Sequence, residues 1–159
     1  SMKLLNKLID KYQKNIFLLE TKADILYANG FSKEAMLFYD KSIKSYPNNY
    51  YVMKRIFEIN FSSINTKDKN SSIKLFHEFS FLLQFFQNNS DLKNKLKILA
   101  NKSDLLEWIN YFSTEEKFYS NDLKEKNYIE VLKKIRKNSS DTNLIKLINK
   151  KINKINENI

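Results

Sequence analysis

The chain has 159 residues, 42% of them hydrophobic and 29% charged, and a formal net charge of +10, which is enough length for a sizeable core. One glycine and one proline in the whole chain argue against sheets and hairpins, which need turn residues, and for all-α structure. The absence of cysteine excludes disulfides, thiolate metal sites and a cysteine nucleophile, and no apolar run approaches the length of a membrane span.

At the start, Ser1-Met2 reads as a remnant of cloning and no signal peptide follows, which leaves the compartment of the full-length protein open. Residues 3–14 place Leu4, Leu5, Leu8, Ile9 and Tyr12 on one helical stripe. A second helix carries Leu19, Ala23, Leu26 and Tyr27 on one face, and Gly30 ends it, because a residue without a Cβ takes φ > 0 at little cost. Ser32 is expected to cap a third helix with Ala35, Phe38, Tyr39, Ser42, Ile43 and Tyr46 facing inward. Pro47 closes this hairpin, since proline lacks an N–H and disfavours helical geometry in the residue before it.

Small Ala23, Gly30 at the turn, Ala35 and Tyr39 in the next helix, and then Pro47 make residues 16–47 resemble a tetratricopeptide (TPR) repeat. Leu19 stands where that pattern has an aromatic, and Ser42 replaces its second small residue. At an offset of 34, the TPR period, Ile9 pairs with Ile43, Tyr12 with Tyr46, Phe17 with Tyr51, Leu18 with Val52, Leu19 with Met53 and Ile25 with Ile59. Helix one then reads as the second helix of a degenerate preceding repeat or a cap shaped like it. Residues 50–62 read as the first helix of the next repeat, with Met53, Ile56, Phe57 and Asn60 toward its partner.

The polar segment 62–72 breaks the pattern, and the best self-match shifts to an offset of 40, placing Asn70 where Gly30 stood. A single helix is expected from Ser72 to Gln87. It is apolar on most of its circumference, and Phe76, Phe79, Leu83 and Phe86 form one stripe. Such a helix is normally buried between neighbours, so these aromatics are read as core, and the lone His77 as a packing residue. Residues 90–101 carry Leu92, Leu96, Ile98 and Leu99, and Ser103-Asp104 is expected to cap a helix with Leu105, Leu106, Trp108, Ile109 and Phe112. Another helix runs near 121–137 with Leu123, Tyr128, Val131, Leu132 and Ile135. The last carries Ile145, Ile148, Ile152, Ile155 and Ile159 at alternating spacings of 3 and 4, a two-heptad seam expected to pack on the preceding helix.

The expected fold is all-α, a TPR-like αα-hairpin solenoid of about seven helices in one domain over 1–159. Residues 1–89 would form the repeats, and 90–159 additional helices that pack on or cap them. The resemblance implies a protein-binding scaffold whose concave face, built by the first helix of each pair, would carry Phe17, Glu20, Asp24 and Tyr27, then Tyr51, Lys54, Arg55 and Glu58. TPR domains that bind chaperone tails hold a terminal carboxylate with a lysine-asparagine-arginine clamp. Glu20 and Asp24 would repel a carboxylate at those places, so a mixed-charge aromatic groove for a segment of a dedicated partner protein is expected instead.

No enzyme and no cofactor are expected. One glycine cannot make a phosphate loop, metal-ligand spacing is missing, and the pair Glu115-Glu116 reads as a capping and dipole feature near a helix start. Residues 133–159 hold eight basic and two acidic side chains, which raises two alternatives: a structural domain of a larger membrane-associated protein, and a basic nucleic-acid-binding helical domain. Nucleic acid ranks below protein as a partner. Of the 28 basic residues only Arg55 and Arg136 are arginine, the side chain best suited to bidentate phosphate and guanine contacts, and lysine, asparagine and isoleucine are the products of A/T-rich codons. In isolation the domain is expected to be a monomer.

Overall fold

The computed structural model describes residues 2–12, 15–65 and 67–157. Among the described residues there are nine α-helices, one 3-10 segment and no strand. That is more than the seven or so expected for the fold. No helix of the described residues is long and apolar enough to cross a membrane. The chain divides into two compact units, Ser1–Ser63 and Ile64–Ile159.

The first unit holds α1 (Met2–Lys11), α2 (Ile16–Ala28), α3 (Ser32–Ser45) and α4 (Tyr50–Ser63), each packed on the next. Asn15 caps α2 by accepting the Leu18 N–H at 3.2 Å. The same helix ends where Gly30 takes φ 83°, with the Phe31 N–H on the Leu26 carbonyl at 2.9 Å and the Gly30 N–H on the Tyr27 carbonyl at 3.0 Å. These two bonds satisfy carbonyls that a helix end otherwise leaves open. Ala23, Ala35, Tyr39, Val52 and Ile59 form the core of this unit, with Leu26, Tyr27, Met36, Phe38, Ile43 and Ile56 half-buried around it.

Three expectations are corrected here. Ser32 is the first residue of α3 and Phe31 holds the cap position without a side-chain bond, so this helix starts from the preceding turn and not from a capping hydroxyl. Tyr46 lies exposed because α3 stops at Ser45. Helix α4 buries Val52, Phe57, Glu58 and Ile59, a face rotated from the expected one; Met53 and Asn60 are only half-buried. Within α1, Leu5, Leu8 and Ile9 are half-buried and Leu4 and Tyr12 exposed.

Nothing lies within 4 Å of the place a Cβ on Gly30 would take, so the cost of a side chain there is the left-handed backbone alone. Gly30→Val is expected to lower stability by about 1–2 kcal/mol, and Gly30→Asn by clearly less, as read by thermal melting. Ala35 is fully buried among Ala23, Tyr39 and Val52. Ala35→Leu should overpack this core at a cost of about 1–3 kcal/mol.

The second unit comprises α5 (Lys69–Phe79), the 3-10 segment Ser80–Gln84, α6 (Ser90–Lys102), α7 (Leu106–Tyr119), α8 (Glu125–Asn138) and α9 (Thr142–Asn156). Neighbours in sequence pack together from α5 to α9, and α9 returns to pack on the 3-10 segment, so these helices form a closed set. The single helix expected over 72–87 is therefore two elements. The first, α5, begins before Ser72: Asp68 caps it, accepting the Asn70 N–H at 3.1 Å, and Asn70 itself lies inside the helix. At Ser80 the period tightens to three residues per turn, which turns Leu82 and Leu83 inward and leaves Phe85 exposed. That change of period is why the segment looks apolar all round. His77 is exposed, its ring set nearly at right angles to that of Phe76 with the centres 5.8 Å apart.

Ser103-Asp104 also proves to be an ending and not a beginning. Asp104 takes φ 55°, the Leu105 N–H reaches the Ala100 carbonyl at 3.0 Å, and α7 starts at Leu106. Asn121, at φ 62°, closes α7 the same way, its following N–H on the Lys117 carbonyl at 2.9 Å. Asn and Asp tolerate this conformation better than other residues with a Cβ, so a chain with one glycine makes three such turns among the described residues. Helix α9 buries Leu144, Leu147, Ile148 and Ile152, while Ile145 and Ile155 are half-buried and Ile159 lies outside the described residues.

The polar core of this unit was not expected. Glu115, 1% exposed, sits in the second half of α7, so the capping role read for it is wrong. It accepts from the Tyr128 hydroxyl of α8 and, at 2.6 Å, from the Lys151 ammonium of α9, with Lys93 of α6 3.6 Å away. Lys151 is 7% exposed and also donates to the Tyr119 hydroxyl at 3.2 Å. Burial, then the adjacent Glu115 carboxylate, pushes the Tyr111 and Tyr128 phenols well above their usual range. The unfolded chain releases these protons first, from about pH 10. Stability of the second unit is therefore full below that pH and falls as the pH rises past it. Urea titrations followed by Trp108 fluorescence at about pH 8 and above about pH 10 should show the midpoint dropping.

Candidate functional site

Residues of α2 spaced by three and four place Phe17, Glu20, Asp24 and Tyr27 on one stripe, and α4 places Tyr51, Lys54, Arg55 and Glu58 on another. Most of these side chains meet. Asp24 accepts from the Tyr39 hydroxyl at 2.5 Å through one oxygen and from the Tyr51 hydroxyl at 3.0 Å through the other. Arg55 lies 3.7 Å from Asp24, donates from Nε to the Tyr51 hydroxyl at 3.2 Å and from Nη1 to Glu58 at 2.9 Å. Its guanidinium carbon also rides 5.3 Å from the Tyr51 ring and 5.8 Å from the Tyr27 ring. Lys54 approaches the other Glu58 oxygen at 3.7 Å.

Two of the eight residues stand apart. Glu20 is turned toward α3 and the turn after it, accepting from Ser42 Oγ at 3.0 Å and from the Asn49 amide. Phe17, in the first turn of α2, is 79% exposed. Tyr51 is 41% exposed, so the network reaches the surface there.

The electrostatics follow from these contacts. Burial pushes the Tyr39 phenol up, and its hydrogen bond to Asp24 adds to this. Tyr51 is raised for the same first reason, with Arg55 pulling it down and Asp24 pushing it up. Burial works against the charge of Arg55, but its bonds to Tyr51 and Glu58 prevail and hold the guanidinium firmly protonated. Each carboxylate thus has a donor, and the surface offers a fixed cation flanked by two aromatic rings. No group of three or more histidines, aspartates and glutamates among the described residues is placed to hold a metal.

No family model, no curated protein and no solved structure matches the chain significantly.

Tyr39, Ser42 and Asn49 were missed as members of this face. Tyr39 was read as packing only, although a buried tyrosine hydroxyl needs a partner, and that need is the signal that pointed to an acid on the neighbouring helix. Ser42 and Asn49 carry no comparable signal in the sequence.

Proposed function

We propose that the first unit is a TPR-like module that holds a segment of a partner protein on the face of α2 and α4. The observation that carries the reading is the exposed Tyr51 ring beside an Arg55 guanidinium fixed by Tyr51 and Glu58, with Phe17 exposed separately in the first turn of α2. Aromatic residues and arginine are the usual anchors of protein interfaces, and side chains already held in place lose little freedom on binding. Asp24 and Glu58 organise the cation, Tyr51 and Phe17 supply apolar contact, and Glu20 braces α2 against α3. The role is non-catalytic and needs no cofactor.

The test is retention of a partner by the immobilised full chain, with the bound protein identified by mass spectrometry. Wild type and a Lys137→Glu control on α8 should retain the same protein. Phe17→Ala and Arg55→Glu should weaken its binding by about tenfold or more while helicity stays unchanged. Equal retention by all four proteins would place the interface elsewhere.

A further inference from the structure

In the second unit an open groove of about 1070 Å³ runs between the stretch from Gln84 to Asn89 and the C-terminal half of α9. Five primary amides line it: Gln84, Gln87, Asn88, Asn89 and Asn153. A carboxamide offers two N–H donors and a carbonyl acceptor, which is the complement of the alternating C=O and N–H of an extended polypeptide backbone. Asn89 uses its oxygen on the Leu92 N–H at 2.8 Å, so it faces the groove as a donor.

The charge of the lining is on balance positive, two lysines against one acid. Lys150 and Lys154 line the groove, and Lys146, four residues earlier on the same face of α9 and outside the lining, is exposed like them, which sets a row of ammonium groups that leads into the groove. Lys150 is anchored, donating to the Gln84 backbone carbonyl at 2.5 Å with its ammonium 5.6 Å from the Phe85 ring. Glu157 is the one acidic lining residue.

We infer that this groove binds an extended, acidic peptide segment, its backbone met by the amides and its carboxylates by the lysine row. Single-stranded nucleic acid is a poorer fit. It needs open aromatic faces for stacking, and Lys150 already lies by the Phe85 ring. Two lining lysines and no arginine would neutralise few phosphates. This groove belongs to the second unit and does not depend on the α2–α4 face.

The probe is a short fluorescein-labelled peptide of alternating glutamate and serine, titrated with the full chain at low salt and read by anisotropy. Binding is expected, with affinity falling as salt rises. Lys154→Glu, which leaves the Lys150–Gln84 bond in place, should weaken it by about tenfold. The paired change Gln87→Ala with Asn153→Ala should weaken it without altering the salt dependence. Lys133→Glu with Lys137→Glu on α8, outside the groove, should leave it within about twofold. No binding at low salt, equal loss from the α8 pair, equal binding of a lysine-serine peptide, or tighter binding of labelled oligothymidine would each overturn the inference.

Discussion

Replacing Glu115 by alanine is expected to destabilise the second unit by about 3–5 kcal/mol. The carboxylate is almost fully enclosed and is the common acceptor of Lys151 and Tyr128, with Lys93 beside it. Its removal leaves the Lys151 ammonium buried with only the Tyr119 hydroxyl, and leaves the Tyr128 hydroxyl without its acceptor. A buried charge without its counter-ion, not the lost attraction, is the larger part of this cost. Changing Glu115 and Lys151 together to methionine should therefore recover most of the loss or exceed wild type. Trp108 is the only tryptophan in the chain and lies in the same unit, so urea titration followed by its fluorescence reads this unit alone. If the single and double variants melt alike, Glu115 and Lys151 are not coupled.

Trp108→Ala should cost a similar amount, about 3–5 kcal/mol. The indole is 2% exposed, with its ring centre 5.0 Å from that of Phe76 and 5.9 Å from those of Tyr111 and Phe112. It has a second task. Its Nε1–H donates to Asp141 Oδ2 at 2.9 Å, while the other oxygen of Asp141 accepts the Asn143 and Leu144 N–H groups that begin α9. The indole thus ties α7 to the start of α9. Trp108→Phe keeps most of the ring but drops that bond, and should lose about 1–2 kcal/mol. Far-UV circular dichroism follows both variants, since the fluorescent probe is gone. Equal losses for alanine and phenylalanine would mean that the ring packing contributes little.

The hairpin of α2 and α3 was legible because its punctuation is written in single residues: Gly30 is the one glycine of the chain, and Pro47 follows the end of α3 by two positions. Where other residues do the work of glycine, the text misleads. Asp104 after a serine looks like a helix start, yet its left-handed backbone makes it a helix end. The break at Ser80 was hidden because a 3-10 turn keeps apolar residues coming at a spacing close to that of a helix. Glu115 was half-legible. It continues the buried series Trp108, Tyr111, Phe112 at the right phase of α7, so its burial could have been read. Its partner could not, because Lys151 lies 36 residues away and only the packing of α7 against the later helices brings the two together. On the α2–α4 face the eight residues came from the TPR resemblance, whereas the bonds that commit Glu20 to α3 depend on side-chain reach, which a repeat pattern does not encode.

The turn at Gly30 also bears on how the chain ages. Asparagine deamidates when the next residue's backbone nitrogen attacks its side-chain carbonyl carbon, and the step is fastest before glycine, which does not hinder the approach. Asn29–Gly30 is the one such step in this sequence. Here both groups are engaged: the Gly30 N–H on the Tyr27 carbonyl at 3.0 Å, and the Asn29 amide on the Ile25 carbonyl at 2.7 Å. Ring closure to the succinimide needs both bonds broken and the turn unwound. Folding thus protects this asparagine, and the appearance of aspartate or isoaspartate at position 29 in stored protein would serve as a clock for opening of the α2–α3 hairpin.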